Sequence, residues 1–103
     1  MDSVDGARIT VELEGHVLLV GLNRPDKRNA FDLAMIDQLA AAYTRLAEDG
    51  DARVVVVYAH GDHFSAGLDL AEVGPAVAER GPAVLSGGSR YDPFGVWGEQ
   101  VPK

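Results

Sequence analysis

Between Leu33 and Ala47 the apolar residues Leu33, Ile36, Leu39, Ala40, Tyr43, Leu46 and Ala47 recur at steps of three and four. An α-helix is the regular structure that gathers such a series on one face. The stretch is therefore predicted to be an amphipathic helix that must lie on an apolar surface, with Asp37, Arg45 and Glu48 off the stripe. Asp32 stands where an N-cap carboxylate is expected. Gly50 follows the last turn and is predicted to cap the C-terminus.

The surface this helix needs is supplied by strands on either side of it. Residues 8–14 alternate apolar and polar, with Ile9, Val11 and Leu13 on one side and Arg8, Thr10, Glu12 and Glu14 on the other. That period marks a half-buried strand. Gly15-His16 makes a tight turn into the nearly continuous apolar run Val17–Leu22, so a hairpin is expected. After the helix, Arg53–Ala59 contains four consecutive valines, which reads as a strand buried on both faces. The order strand, strand, helix, strand makes the class α/β. Leu68–Val73 is expected to start a short helix. Residues 74–103 hold six glycines and four of the five prolines. They are expected to be mostly loop, with one short helix at 76–80.

With 103 residues the chain has room for one domain. Its net charge of −7 argues against nucleic acid or an anionic membrane as a general partner. It has no cysteine, which rules out disulfides, thiol catalysis and zinc–thiolate sites. Met1–Gly6 is acidic and lacks the apolar core of a secretory signal, and no apolar run approaches a bilayer span. A cytoplasmic protein is expected.

Charge is unevenly placed, however. Arg24, Lys27 and Arg28 are three of the nine basic residues and fall within five positions of one polar loop, Asn23–Asn29. Such a patch suits a small anion, or is simply a solvated loop. His60, Asp62 and His63 bring too few ligands for a metal centre. Ser65 lacks the glycine two residues upstream that a nucleophile elbow requires, and its side chain is given no role. The glycines fit neither a dinucleotide fingerprint nor a phosphate-binding P-loop. The loop from His60 to Gly67 leaves the C-terminal end of a buried strand, contains a glycine suited to close backbone approach, and runs into a helix start. Those features suit an oxyanion site as well as an ordinary strand–turn–helix.

Two separate stretches carry more. Leu22-Asn-Arg-Pro-Asp-Lys-Arg-Asn-Ala30 and Phe64-Ser-Ala-Gly-Leu-Asp-Leu70 resemble the crotonase (enoyl-CoA hydratase/isomerase) superfamily. The resemblance covers residues 9 to about 73, and more loosely Tyr91–Gly95 and Val101–Lys103. It implies the N-terminal portion of a ClpP/crotonase-type spiral of strand–strand–helix turns. With the change in composition after Gly74, the expected division is a crotonase-like core at 1–73 and a Gly/Pro-rich loop region at 74–103 leading to a missing C-terminal half. Proteins of this kind assemble as homotrimers or hexamers. Their shared chemistry stabilises the enolate of an acyl-CoA thioester, with coenzyme A part of the substrate and no separate cofactor or metal.

Carried onto these positions, the resemblance makes the Leu68 backbone N–H one oxyanion donor, beside Gly67. It puts the backbone around Ser65 and Ala66 against the adenine. Lys27, Arg28, Asn29 and Ala30 are set along the phosphates and pantetheine. The second donor and the catalytic carboxylates belong to family segments that would follow Lys103. Glu72, Glu79 and Glu99 match no such motif. The competing readings are a non-catalytic CoA-binding or interaction module and a truncated, inactive product.

Overall fold

The computed structural model describes residues 7–88, 91–96 and 98–103. The acidic start, Met1–Gly6, lies outside them. The first strand, β1, is Ile9–Glu14, and β2 is Val17–Leu22. They pair antiparallel from Ile9↔Leu22 to Glu14↔Val17, so the two residues between, Gly15 and His16, form the whole turn. Gly15 takes φ +61°, a conformation a glycine adopts freely. The third strand, β3, is Val54–Ala59 and lies parallel to β2 from Val17↔Val54 to Leu22↔Ala59. The sheet order is β1-β2-β3.

The connection between β2 and β3 is the helix α1, Leu33–Glu48. Asp32 caps it as expected, accepting from the Met35 N–H at 2.8 Å. At the other end the cap is Asp49, in extended backbone, and Gly50 lies beyond it. The side chain of Asp49 explains the difference. It accepts from the Asp51 N–H while its carbonyl accepts from Ala52, closing a turn that needs no left-handed residue. The Lys103 ammonium then donates to the carbonyls of Leu46, Asp49 and Ala52, giving partners to the open carbonyls at the helix end.

The core is one sandwich of α1 on the sheet. Leu18, Val20 and Leu22 of β2 and Met35 and Ile36 of α1 are at most 1% exposed. Burying a side chain of this size contributes about 1.5–3 kcal/mol, so this seam is the main stabilising feature. Val55, Val57 and Ala59 of β3 pack against the same cluster. Their neighbours Val54, Val56 and Tyr58 do not, and stay 49%, 46% and 37% exposed. The expectation of a strand buried on both faces is thus corrected. β3 is an edge strand here, covered by α1 on one side.

The second helix, α2, is Leu70–Arg80, and it runs straight through Gly74 and Pro75. The sequence suggested two short helical pieces separated by that pair. Proline's fixed φ is helical, and its cost is one lost backbone bond together with crowding of the carbonyl four residues back, here that of Ala71. Burial of Val73 and Ala76 on one side of the helix outweighs that loss. Among the described residues no helix is long and apolar enough to cross a membrane. Among the same described residues, no group of three or more His, Asp or Glu stands together to hold a metal ion.

Candidate functional site

Two loops meet at the C-terminal ends of β2 and β3. The first, residues 23–31, begins with a short 3-10 turn at Pro25–Lys27. Arg28 and Asn29 then both take left-handed backbone, φ 53° and 56°. For residues with a Cβ that costs about 1–2 kcal/mol each, so something must hold them there. Asn29 does. Its side chain is wholly buried, its Oδ1 accepts from the Arg24 N–H at 2.7 Å, and its Nδ2 donates to the carbonyls of His60 and His63 at 2.9 and 2.8 Å.

The second loop, residues 60–69, is sewn to the first by backbone. The Ala66 N–H donates to the Arg28 carbonyl at 3.0 Å, and the Phe31 N–H to the Gly67 carbonyl at 2.7 Å. The Asp69 N–H returns to the Phe31 carbonyl at 2.9 Å. These two bonds make a one-residue parallel bridge between Phe31 and Leu68. In such a bridge the central residue turns its own N–H away from the partner. Leu68 accordingly has both flanking peptides fixed while its own N–H has no hydrogen-bond partner among the described residues.

Gly67 has φ +92°, and a Cβ built there would have nothing within 4 Å. The glycine is needed for its backbone angle, and the space beside it is open to an approaching group. Ser65 closes the turn, its Oγ donating to the Asn29 carbonyl at 2.9 Å and accepting from the Gly67 N–H at 3.0 Å. The serine left without a role by the sequence is therefore a brace for this turn.

The basic cluster splits in two. Lys27 and Arg28 are exposed and make no side-chain bond among the described residues. Arg24 is buried, its side chain 8% exposed. Its Nη1 donates to Asp69 Oδ2 at 2.8 Å and to the Ala30 carbonyl at 3.0 Å, and its Nε lies 3.5 Å from Asp32 Oδ2. Arg8 reaches the same Asp32 oxygen at 3.1 Å. Four alternating charges thus join the N-caps of both helices, since Asp69 accepts from the Glu72 N–H as Asp32 does from Met35. The Arg24 guanidinium, chiefly by its hydrogen bond, holds the Asp69 carboxyl below its usual value.

The two loops bring Ala30, Ser65, Ala66, Gly67 and Leu68 together around one spare backbone donor. Lys27 and Arg28 are carried on the same first loop. The Asn29 side chain is buried and committed to the loops' own carbonyls and to the Arg24 N–H. Arg24 and Asp69 were missed as a pair. The signal available for Asp69 was the one that marked Asp32, a carboxylate just before a helix. A cleft of about 390 Å³ lies elsewhere, between β1 and α1, lined by Ile9, Val11, Gln38, Ala41, Ala42 and Arg45. Its polar groups are engaged. Gln38 Oε1 accepts from the Arg8 and Ile9 N–H groups, and Arg45 faces Asp49. The chemistry points to the loops.

The enoyl-CoA hydratase/isomerase family profile matches residues 12–84. Mouse mitochondrial Δ(3,5)-Δ(2,4)-dienoyl-CoA isomerase is 43% identical over 58 residues, covering 56% of this chain and 18% of the isomerase. Hydroxycinnamoyl-CoA hydratase-lyase of Pseudomonas fluorescens is 35% identical over 77 residues, covering 75% of this chain and 28% of the lyase. The crystal structure of a probable enoyl-CoA hydratase/isomerase from Mycobacterium abscessus superposes with a TM-score of 0.69 at 43% identity. It covers 72% of this chain and 29% of that one. The chain thus spans less than a third of each of these relatives.

Proposed function

The chain belongs to the enoyl-CoA hydratase/isomerase family, and from that premise we propose that it binds an acyl-CoA thioester. The thioester oxygen accepts the Leu68 N–H, in the open space beside Gly67. As electron density moves onto that oxygen during enolate formation, a fixed donor stabilises it most. One such donor is typically worth about 3–4 kcal/mol in the transition state. The adenine lies along the backbone at Ser65 and Ala66, and the phosphates face Lys27 and Arg28, with Ala30 beside the pantetheine. The observation carrying this reading is the spare Leu68 N–H on a peptide whose carbonyl end, Gly67, is held by the Phe31 N–H, beside a glycine at φ +92°.

A donor alone moves no protons. Proton transfer to and from carbon needs positioned acids, worth about 10²–10⁴-fold. Glu72 and Glu79 are exposed on α2 and are not assigned that task. In the same proposal the acids and a second donor come from groups other than these 103 residues, in a trimeric or hexameric assembly. The matched relatives include both an isomerase and a hydratase-lyase, so the reaction is fixed by those further groups.

Isothermal titration of the chain with crotonyl-CoA at two salt concentrations tests the binding mode. Affinity should fall at the higher salt. Lys27→Ala and Arg28→Ala should each weaken binding about two- to fivefold, as expected for an exposed charge pair. Unchanged, salt-independent binding by the double variant would remove the phosphate assignment.

A further inference from the structure

We propose that Arg24 is a positioning residue that aims the Leu68 N–H, acting through Asp69; the inference rests on the thioester-binding reading above. Asp69 is the residue immediately after Leu68, and three of its groups are held at once. Its N–H is bound to the Phe31 carbonyl at 2.9 Å, one carboxylate oxygen faces the Glu72 N–H, and the other accepts the Arg24 Nη1 at 2.8 Å. The peptide joining Leu68 to Asp69 is thereby fixed from its C-terminal side. From the other side, Gly67 is fixed by Phe31 and Ser65. Arg24 ties these together, because the same nitrogen also donates to the Ala30 carbonyl, one residue before Phe31.

The guanidinium geometry is the reason an arginine is required. Its Nη1 serves Asp69 and Ala30 while Nε lies toward Asp32, so one planar fork spans both loops and both helix caps. A lysine brings the same charge as a single point and cannot hold the three directions together. The group is also dry enough for this to matter, with side-chain exposures of 8% for Arg24, 12% for Asp32 and 18% for Asp69. It touches no position assigned to the phosphates, which face Lys27 and Arg28. Loss of the fork is therefore expected to leave CoA affinity in place and to remove the preference for a thioester over free CoA.

The experiment is amide NMR on the uniformly ¹⁵N-labelled chain, titrated separately with crotonyl-CoA and with free CoA. In the wild type the Leu68 amide proton should move downfield with the thioester and not with free CoA. In Arg24→Lys that shift should disappear and the thioester preference should fall by about tenfold, with free-CoA affinity within about twofold of wild type, the scale of one charge-assisted hydrogen bond. Asp69→Asn keeps the helix cap and removes the charge, so it should reproduce the loss even if Arg24→Lys folds poorly. Retention of the Leu68 shift and the preference in Asp69→Asn would overturn the positioning role. Equal losses of free CoA, thioester and thermal stability in both variants would also overturn it, leaving Arg24 as support for the fold. A wild-type Leu68 amide that ignores the thioester would instead sink the oxyanion reading beneath.

Discussion

Replacing Asn29 by alanine should be among the most damaging single changes in this chain, although Asn29 lies in a loop. Its side chain is fully buried and makes three hydrogen bonds. The Arg24 N–H would lose its acceptor inside a buried segment, which costs about 1–3 kcal/mol. The His60 carbonyl would lose a donor in a half-buried setting, for about 1 kcal/mol. The His63 carbonyl lies in an exposed residue and would turn to water at little cost. Alanine would then have to sit at φ 56°, where a left-handed L-residue without a local hydrogen bond costs about 1–2 kcal/mol. The sum is about 3–6 kcal/mol, against a total stability of about 5–15 kcal/mol for an ordinary domain. Urea unfolding followed by circular dichroism measures it. Asn29→Gly loses the same bonds without the backbone strain and should be about 1 kcal/mol less damaging. A loss below about 1 kcal/mol for Asn29→Ala would refute the reasoning, because it would mean the loops are held by something other than this amide.

Two further outcomes follow from charge and exposure. Asp69 is held below its ordinary value of 3.8, so its pairing contributes stability that is fully present above that pH and is lost as pH falls through the lowered folded value. Melting temperatures of the wild type and Asp69→Asn should therefore differ at pH 7 and converge toward pH 2; a constant gap would contradict the pairing. The exposed face of β3 makes the isolated chain prone to self-association. Val56→Lys should raise the concentration at which it leaves the monomer by about tenfold, read by sedimentation velocity, since a lysine on an edge strand opposes pairing. A sharp, reversible monomeric transition by the wild type at all concentrations would count against this.

What the sequence revealed and what it hid divide along physical lines. The hairpin, α1 and β3 were legible because each pattern repeats locally. Ile9, Val11 and Leu13 declare one face by alternation, and Ile36, Leu39 and Leu46 declare another by helical spacing. The Asp32 cap was legible for the same reason, being a contact over three residues. The errors arose where a longer-range contact decided. Pro75 sits within α2 on a helix whose Val73 and Ala76 are buried, and Asp49 displaced Gly50 by capping its own turn. The exposure of Val54 and Val56 depends on what covers the second face of the sheet, a matter outside β3's own residues. Within the site, Gly67 and Leu68 could be singled out from glycine placement and family resemblance. The division of labour among Arg24, Lys27 and Arg28 could not, because three neighbouring cations look alike until Asp69, forty-five residues on, selects one of them.

The chain of charges from Arg8 through Asp32 and Arg24 to Asp69 also forms a junction that can open separately from the rest of the fold. Its members come from four segments, and the Arg24–Asp69 link closes a loop whose ends are 45 residues apart. The β1–β2 turn and α1 close over far shorter spans and meet a lower entropic barrier. The hairpin and helix can thus form before the two loops join, and the loops close once Asp69 finds Arg24. In hydrogen exchange the amides of Phe31 and Asp69 should report the opening of this junction separately from those of Leu18, Val20 and Ile36, which report loss of the scaffold itself. A substitution in the junction would then alter how often the site is assembled before it alters whether the protein is folded.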